Sequence, residues 1–343
     1  MTGDVTGSPV LRLVDAAVVR DTGDRVHLDL GTRSLAFTSH IEDVRRLLGR
    51  LSGPGVRERA EVGGPIVRIL AERGYVTTEP RADMGGPEGR QYGYLSLFGP
   101  DAAAQQDRVR RARVAVIGVG GIGGIVAQHL VGAGVRSLDL VDGDCFEESN
   151  LNRQFLGGRA DLGRPKVEVV ADALDRMRAD LAITTHQVFV DSAADLPFDG
   201  RDLLVVAADR PRDIDRICWA WCAATDTPFI TGGVGLGYGY WGPTLVPGDD
   251  CLGCWDAARL AELTAVQRRS FSDRQDPTPY SFGPSNTVIS GLVAHEAVRF
   301  LAVGATPSRT ARWYLNFDTG ATTSIVTRQE TPCGEHTVRV PAC

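Results

Sequence analysis

Arg113-Val-Ala-Val-Ile-Gly-Val-Gly-Gly-Ile-Gly-Gly124 is an apolar run that leads directly into a cluster of glycines. Apolar residues at helical spacing follow, which predicts a strand, a tight turn and a helix. Glycines let the backbone turn closely around a phosphate, and the N–H groups at a helix start attract negative charge. A second apolar run, 138–141, ends at Asp142, about twenty residues beyond the glycines, where a carboxylate can hydrogen-bond ribose. This stretch therefore predicts a nucleotide site.

The glycine pattern alone equally fits the turn of a nicotinamide oxidoreductase. Residues 142–155, Asp-Gly-Asp-Cys-Phe-Glu-Glu-Ser-Asn-Leu-Asn-Arg-Gln-Phe, place amide, guanidinium and carboxylate groups directly after the ribose acid, and Lys166 comes twelve residues after Gln154. A hydride-transfer enzyme has no need of this cluster beside its first phosphate turn. A site that holds a triphosphate and neutralises departing pyrophosphate does need it. The residues therefore favour chemistry on the phosphates.

The ordered run GxGGxG, D-x-D, SNLNRQF and G-R-P-K resembles the ThiF/MoeB family, the adenylyltransferases of the ubiquitin-activating-enzyme type. The resemblance implies an α/β fold with a Rossmann-like, doubly wound, mostly parallel sheet that binds ATP and Mg²⁺. It implies that nucleotide is bound by Gly118, Gly120, Gly121, Gly123, Asp142, Asp144, Asn150, Arg153 and Lys166. Of these, Asn150 and Arg153 would contact phosphates and Lys166 would neutralise the β and γ oxygens, while Gln154 orients the reactants.

A magnesium ligand is expected at Asp209, which follows the apolar run 203–208. A carboxylate at the carboxyl end of a buried parallel strand lies over the nucleotide crevice. The family usually has Asp-Asn at this point, whereas this chain has Asp209-Arg210. Asp209 as an N-cap of a helix over 211–224 is a compatible alternative.

Length and composition suggest an intracellular protein of about two domains. The chain has 343 residues, 43% of them hydrophobic, and a formal net charge of −6, which argues against a nucleic-acid surface. It lacks an apolar run of about 18 residues and a signal-peptide pattern, so we expect no membrane contact and a cytoplasmic location. Seven cysteines, an odd number, fit reduced thiols and a metal site better than disulfides.

Residues 9–78 read as a separate unit of three short antiparallel strands followed by helices at 41–51 and 66–74. This order resembles the winged-helix domains that bind leader peptides; a packing or dimerisation module is the alternative. Residues 79–89 form a Gly/Pro-rich linker, and 90–343 the adenylation domain. The resemblance makes Arg90 a candidate catalytic residue that reaches the partner's nucleotide in a homodimer, with a solvated linker arginine as the alternative.

The C-terminal part supplies further elements and a candidate zinc site. We expect a mobile crossover loop over about 256–284, a helix from 285 to 301 and a hairpin over 312–328. The family commonly joins a C-x-x-C pair to a second pair, which here predicts structural Zn²⁺ on Cys251, Cys254, Cys333 and Cys343, with His336 as a substitute ligand. Cys218 and Cys222 are predicted to be buried helix residues rather than acceptors of an activated carboxyl.

The leading hypothesis is ATP- and Mg-dependent adenylation of the C-terminal carboxyl of a peptide or small protein, in an organisation that resembles microcin C maturation. Two alternatives stay open: activation of a ubiquitin-like sulfur carrier, and a non-catalytic leader-peptide scaffold for a partner heterocyclase. The N-terminal unit argues against the first, and intact Arg153, Lys166 and Asp209 argue against the second.

Overall fold

The computed structural model describes residues 10–53, 55–56, 64–79, 81, 85–262, 280–309 and 311–326. The chain divides into two compact units, Met1–Arg108 and Val109–Cys343. Within the described residues, no helix has the length and apolarity needed to cross a membrane.

The first unit is built on a three-stranded antiparallel sheet. Strands β2 (Val18–Asp21), β3 (Val26–Leu30) and β4 (Arg33–Phe37) lie in that order, while β1 (Arg12–Leu13) pairs with β5 (Val76–Thr77). Alternate residues of β3 are buried against helices α1 (Ile41–Ser52) and α2 (Pro65–Glu72). The three predicted strands and both helices are confirmed. The two-residue pair β1–β5 was not predicted, because so short a segment shows no periodicity.

The rest of this unit leads toward the second one. It contains a 3₁₀ turn (Gly89–Gln91), helix α3 (Tyr92–Leu95) and most of helix α4 (Ala102–Arg111), which continues past Arg108 into the second unit. The carboxylate of Glu79 accepts hydrogen bonds from the backbone N–H groups of Ala103 and Ala104, at 2.8 and 3.0 Å. These bonds satisfy two of the donors that a helix start leaves open.

The second unit contains an eight-stranded mixed sheet, in the order β13-β12-β11-β10-β9-β6-β7-β8. Its strands are β6 (Arg113–Ile117), β7 (Ser137–Val141), β8 (Ala182–His186), β9 (Leu203–Val206), β10 (Phe229–Gly235), β11 (Tyr238–Leu245), β12 (Ala311–Asn316) and β13 (Thr322–Val326). From β10 to β8 all neighbours are parallel, and the other three strands are antiparallel. The predicted doubly wound, mostly parallel sheet is confirmed.

Helices cover this sheet. They are α5 (Gly123–Ala133), α6 (Lys166–Asp175), α7 (Ile214–Thr225), α8 (Leu252–Glu262) and α9 (Gly283–Val303). Residues Cys218 and Cys222 of α7 are fully buried in one core cluster, as predicted, and burial raises the pKa of both thiols. Helix α9 packs closely on β10, since a Cβ at Gly232 would lie 2.3 Å from a methyl of Val293.

Three predicted segments differ from the structure. The helix expected over 211–224 begins at Ile214, and its N-cap is Asp213 rather than Asp209. The strand expected over 183–190 ends at His186, because the N–H of Val188 turns back to the carbonyl of His186 at 3.1 Å. The crossover loop expected from 256 begins as part of α8, whose Leu252 and Trp255 are buried in the core. Residues 263–279 of that expected loop lie outside the described residues, and its end at 283–284 is the start of α9. The hairpin of β12 and β13 is confirmed.

Candidate nucleotide site

The glycine turn lies where the order in which the chain adds strands to the sheet reverses. The chain runs from β6 through β7 to β8 on one side and returns to β9 on the other. Gly118 has φ +80°, and a Cβ there would lie 2.7 Å from the backbone of Ala208, just beyond β9. A Cβ on Gly123 would lie 1.8 Å from the carbonyl oxygen of Gly118. Only glycine fits either position, and the turn lies at the carboxyl ends of the strands where the strand order reverses, which is where α/β sheets bind ligands in a crevice.

Helix α5 starts at this crevice without a side-chain cap. A Cβ on Gly120 would meet the amide nitrogen of Gln154 at 3.7 Å, and one on Gly121 would meet that of Asn286 at 2.4 Å. The turn therefore lies between two amide side chains. A helix start of this kind can present N–H groups to a phosphate.

Asp142 directly follows β7, the neighbour of β6. Its carboxylate accepts the backbone N–H groups of Val119 and Asp144, each at 2.9 Å. Burial raises the pKa of the Asp142 carboxyl, and the nearby charge of Lys166 opposes that shift. The side chain is thus fixed against the glycine turn, where a bound ribose would meet it.

Lys166 begins α6 and is held beside Asp144. Its Nζ lies 2.7 Å from a carboxylate oxygen of Asp144, and its backbone N–H bonds to the Asp144 carbonyl at 3.0 Å. The Lys166 side chain is only 10% exposed, whereas that of Asp144 is 55% exposed. A nearly buried ammonium beside an exposed carboxylate can exchange this partner for a phosphate oxygen.

Asn150 and Arg153, the two predicted phosphate contacts, differ in how far hydrogen bonds within the protein already occupy their side chains. Asn150 is buried, and its side chain bonds to the N–H of Glu147 and to the hydroxyl of Ser149, so it shapes its own loop. Arg153 donates from Nη1 to the Ser149 carbonyl and to Asn152. No described residue bonds its other guanidinium nitrogens, which leaves donors for an anion.

Asp209 lies three residues after β9 and is exposed. No described residue makes a hydrogen bond or ion pair with it. A carboxylate with open oxygens at this edge has the donor chemistry that Mg²⁺ requires. Arg90 is exposed in the 3₁₀ turn of the first unit, and its predicted role stays a prediction.

The zinc prediction involves residues of which only half are described. Cys251 and Cys254 lie at the start of α8, partly buried, and Cys333, His336 and Cys343 lie outside the described residues. Among the residues that are described, no group of three or more His, Cys, Asp or Glu side chains could hold a metal.

The start of α9 contributes to the site in a way that the sequence analysis missed. Ser290 donates from its hydroxyl to the carbonyl of Ile122 at 3.2 Å, and Asn286 lies against Gly121. A Cβ on Gly283 would lie 2.4 Å from the carbonyl oxygen of Asn152. The signal was present as polar residues at i, i+4 in the first turns of a predicted core helix. Their partners, far away in sequence, could not be inferred.

These features define a mononucleotide-binding α/β protein with a basic and amide-rich phosphate side. The ThiF family model matches residues 89–336, and the chain belongs to that family. It is 31% identical over 230 residues to the sulfur carrier protein ThiS adenylyltransferase of Escherichia coli K12, covering 65% of this chain and 86% of that protein. It is also 31% identical over 184 residues to the adenylyltransferase and sulfurtransferase uba4 of Emericella nidulans, covering 53% of this chain.

The chain spans only 37% of the length of that fungal relative, and 51% of the molybdopterin-synthase adenylyltransferase of E. coli K12. Among solved structures, E. coli MccB with ATP has a TM-score of 0.77 at 21% identity, with 94% of this chain and 98% of that chain covered. At this identity the likeness shows the fold, including the first unit.

Proposed function

We propose that this chain catalyses ATP- and Mg-dependent adenylation of the C-terminal carboxyl of a peptide or small protein, with release of pyrophosphate. The observation that carries the proposal is the nearly buried Lys166, which is held at 2.7 Å beside Asp144 and whose charge acts on Asp142, the carboxylate bonded to the glycine turn. Burying an ammonium costs free energy, which its partly exposed partner offsets only weakly. Such an arrangement suits a lysine that receives negative charge during a reaction.

The reaction needs positioning and electrostatics rather than a protein nucleophile. An oxygen of the substrate carboxylate attacks the α-phosphorus, and the bond from that phosphorus to the bridging oxygen of the β-phosphate breaks. Pyrophosphate leaves with the electron pair. Lys166 and Arg153 would neutralise the charge that develops on the phosphate oxygens, while Asp142 holds the ribose. Asp209 would hold Mg²⁺, which supplies Lewis-acid stabilisation of the phosphates when bound.

A peptide substrate is favoured by the first unit. MccB, whose fold resembles this chain over both units, has been solved with ATP and, in other structures, with MccA and AMPCPP. The outer strands β2 and β4 of the first unit's sheet offer backbone groups to which an extended peptide could add. The relatives matched by sequence support the alternative, which is activation of a sulfur carrier protein such as ThiS.

Pyrophosphate–ATP exchange tests the proposal and separates the two substrates. We expect exchange that depends on a peptide with a free C-terminal carboxyl and is lost when that carboxyl is amidated. Exchange with a sulfur carrier and none with any peptide of a panel encoded nearby in the genome would favour the alternative. No exchange with either class would refute adenylation.

Two further features of the assembly are part of the proposal. Zinc would join Cys251 and Cys254 to cysteines of the C-terminal segment. A metal analysis that finds well below one zinc per chain in protein purified without chelators would refute this.

A homodimer would bring Arg90 to the partner's nucleotide. A monomer in light scattering at micromolar concentration, with unimpaired activity of Arg90→Ala, would contradict it.

A further inference from the structure

Asn152 is an exposed residue whose side-chain amide bonds to two separate parts of the chain. Its Oδ1 accepts a hydrogen bond from Nη1 of Arg153 at 2.9 Å, and its Nδ2 donates to the backbone carbonyl of Ser281 at 3.1 Å. Ser281 lies 129 residues further along the chain, in the segment that leads into α9. The amide therefore connects a predicted phosphate contact to a distant backbone segment.

That distant segment is held against the same loop and against the phosphate turn. A Cβ on Gly283 would lie 2.4 Å from the carbonyl oxygen of Asn152, so only glycine lets the two backbones approach this closely. Asn286 donates from Nδ2 to the hydroxyl of Ser281 at 3.1 Å, and the same nitrogen lies against Gly121. The carbonyl of Ser281 is therefore an acceptor whose place is fixed relative to the turn.

The hydrogen bonds of Arg153 leave one edge of its guanidinium open. Nη1 carries two hydrogens, and it donates to two acceptors, the Ser149 carbonyl at 2.7 Å and Oδ1 of Asn152 at 2.9 Å. No described residue bonds Nε or Nη2, and these two nitrogens together can bind a phosphate through two parallel hydrogen bonds. Cγ and Cδ of Arg153 would lie 3.1 and 3.3 Å from a Cβ on Gly121, so the side chain passes over the phosphate turn.

We propose that Asn152 is a positioning residue, which turns the Nε–Nη2 edge of Arg153 toward the phosphates of the bound nucleotide. The inference rests on the proposed use of ATP and adds a residue that acts on the phosphates only through Arg153. An amide suits this place because it can accept from a guanidinium and donate to a carbonyl at the same time. Fixing a long side chain before the nucleotide arrives lowers the entropy that binding must overcome.

A double-mutant cycle on the full chain tests this, with the Kd of a non-hydrolysable ATP analogue measured by calorimetry. Arg153→Ala should raise the Kd at least about tenfold, because charge-assisted bonds to phosphate are lost. Asn152→Ala should raise it about fivefold, because the guanidinium remains but is no longer oriented. In the Arg153→Ala protein, Asn152→Ala should change the Kd less than about twofold. Equal effects of Asn152→Ala in the two backgrounds would overturn the proposal.

Arg153→Lys sharpens the cycle. Lysine keeps the positive charge but has no planar edge to turn. Asn152→Ala should therefore have little effect on the Kd in this background as well. An undiminished fivefold effect would show that Asn152 does not act by orienting the guanidinium.

Asn316→Ala is the matched control. Asn316 is another exposed asparagine, which accepts the N–H groups of Asp318 and Thr319 in the turn between β12 and β13, at 2.9 and 3.0 Å. Its replacement should leave the Kd unchanged, and an equal loss of affinity in this variant would overturn the specific role of Asn152. Thermal unfolding of Asn152→Ala should stay within about 2 °C of the parent, because the residue is exposed.

The outcome is separable from that of the proposed function. Analogue binding reports the orientation of Arg153, whereas peptide-dependent exchange reports adenylation. Coupled effects on the Kd in a protein that exchanges with no peptide would leave the role of Asn152 standing and remove the reaction. Where exchange occurs, Asn152→Ala should lower kcat and leave the KM of the peptide unchanged, because Arg153 faces the phosphates. A raised KM with unchanged kcat would overturn the proposal.

Discussion

The two units of this chain hold their charged side chains in different surroundings. In the first unit, the ion pairs Arg20–Asp29 and Arg45–Asp21 lie on the sheet surface, and hydrogen bonds from the arginines lower the pKa of both aspartates to about 2. In the second unit, the Lys166 side chain is only 10% exposed beside Asp144, and burial raises the pKa of Asp142 at the glycine turn. Surface pairs contribute little to stability and nothing to chemistry, whereas charges kept out of water at a crevice indicate a site.

Burial alone does not make that distinction, as Asp139 within β7 and Asp142 just after it show. Asp139 in β7 is buried, and burial opposes its ionisation, yet hydrogen bonds from Arg201 at 2.7 Å and His186 at 3.0 Å lower its pKa. Asp142, three residues on, receives only backbone N–H groups, and its pKa is raised by burial. Asp139 is fully paired by the protein, so it is structural. Asp142 retains capacity for a ligand.

The largest effect is expected from Asp209→Ala. Loss of the magnesium ligand removes several kcal/mol of transition-state stabilisation, so turnover in pyrophosphate release should fall by at least about 100-fold. Thermal unfolding should be unchanged, because Asp209 is exposed. Asp213→Ala, another exposed carboxylate of the same loop, is the control that should keep its activity. Undiminished turnover of Asp209→Ala would refute the metal assignment.

Asp139→Asn should have the opposite effect to Asp209→Ala: it should lower the stability and leave the activity intact. It leaves the guanidinium of Arg201, 8% exposed, without its charged partner, which costs about 3 kcal/mol in the free energy of unfolding. Chemical denaturation measures that loss, and activity well below the transition temperature should be preserved. Because the folded pKa is lowered, the wild-type advantage is present above the unfolded pKa near 3.8 and should disappear as the pH falls below it. An activity loss larger than the stability loss explains would make Asp139 part of the site.

Deleting residues 1–78, the part of the first unit that contains its three-stranded sheet, tests whether that part delivers substrate. This boundary keeps Glu79, whose carboxylate caps α4. We expect nearly unchanged ATP binding and an apparent KM for the full-length peptide at least about tenfold higher, since tethering raises the local concentration of the carboxyl terminus. Equal kinetics for both proteins would show the unit to be structural and would favour a sulfur carrier as substrate.

The smallest effect is expected from Arg45→Ala. This residue bonds to Asp21 on the surface of the first unit. Calorimetry should find a shift in Tm of about 2 °C or less, and exchange activity should not change. The folded pKa of Asp21 is lowered to about 2, so any difference between the proteins should vanish as the pH falls from about 4 toward that value. A large loss of activity would place a functional surface on this sheet.

The parallel half of the sheet could be predicted because the sequence patterns that indicate it lie close together along the chain. Apolar runs of β-branched residues, glycines at fixed spacing and Asp142 lie within one short segment, and Lys166 follows soon after. The helical part of the expected crossover loop could not be predicted, because Trp255 is buried against residues of α7 that a pattern along the chain does not reveal. Asn286 was missed for the same reason, because its place beside the phosphate turn depends on Gly121, which lies in another segment.

The contact between Gly118 and Ala208 has a consequence for the order in which the molecule is made. The phosphate turn belongs to the first strand of the sheet to be synthesised, but the backbone against which it packs comes 90 residues later. A growing chain that has been synthesised only as far as β8 therefore lacks the backbone after β9 against which the phosphate turn packs. Contacts of such large sequence separation form late and slow folding. Nucleotide binding should thus begin only once β9 has joined the sheet, and ATP should selectively stabilise chains that have passed that point.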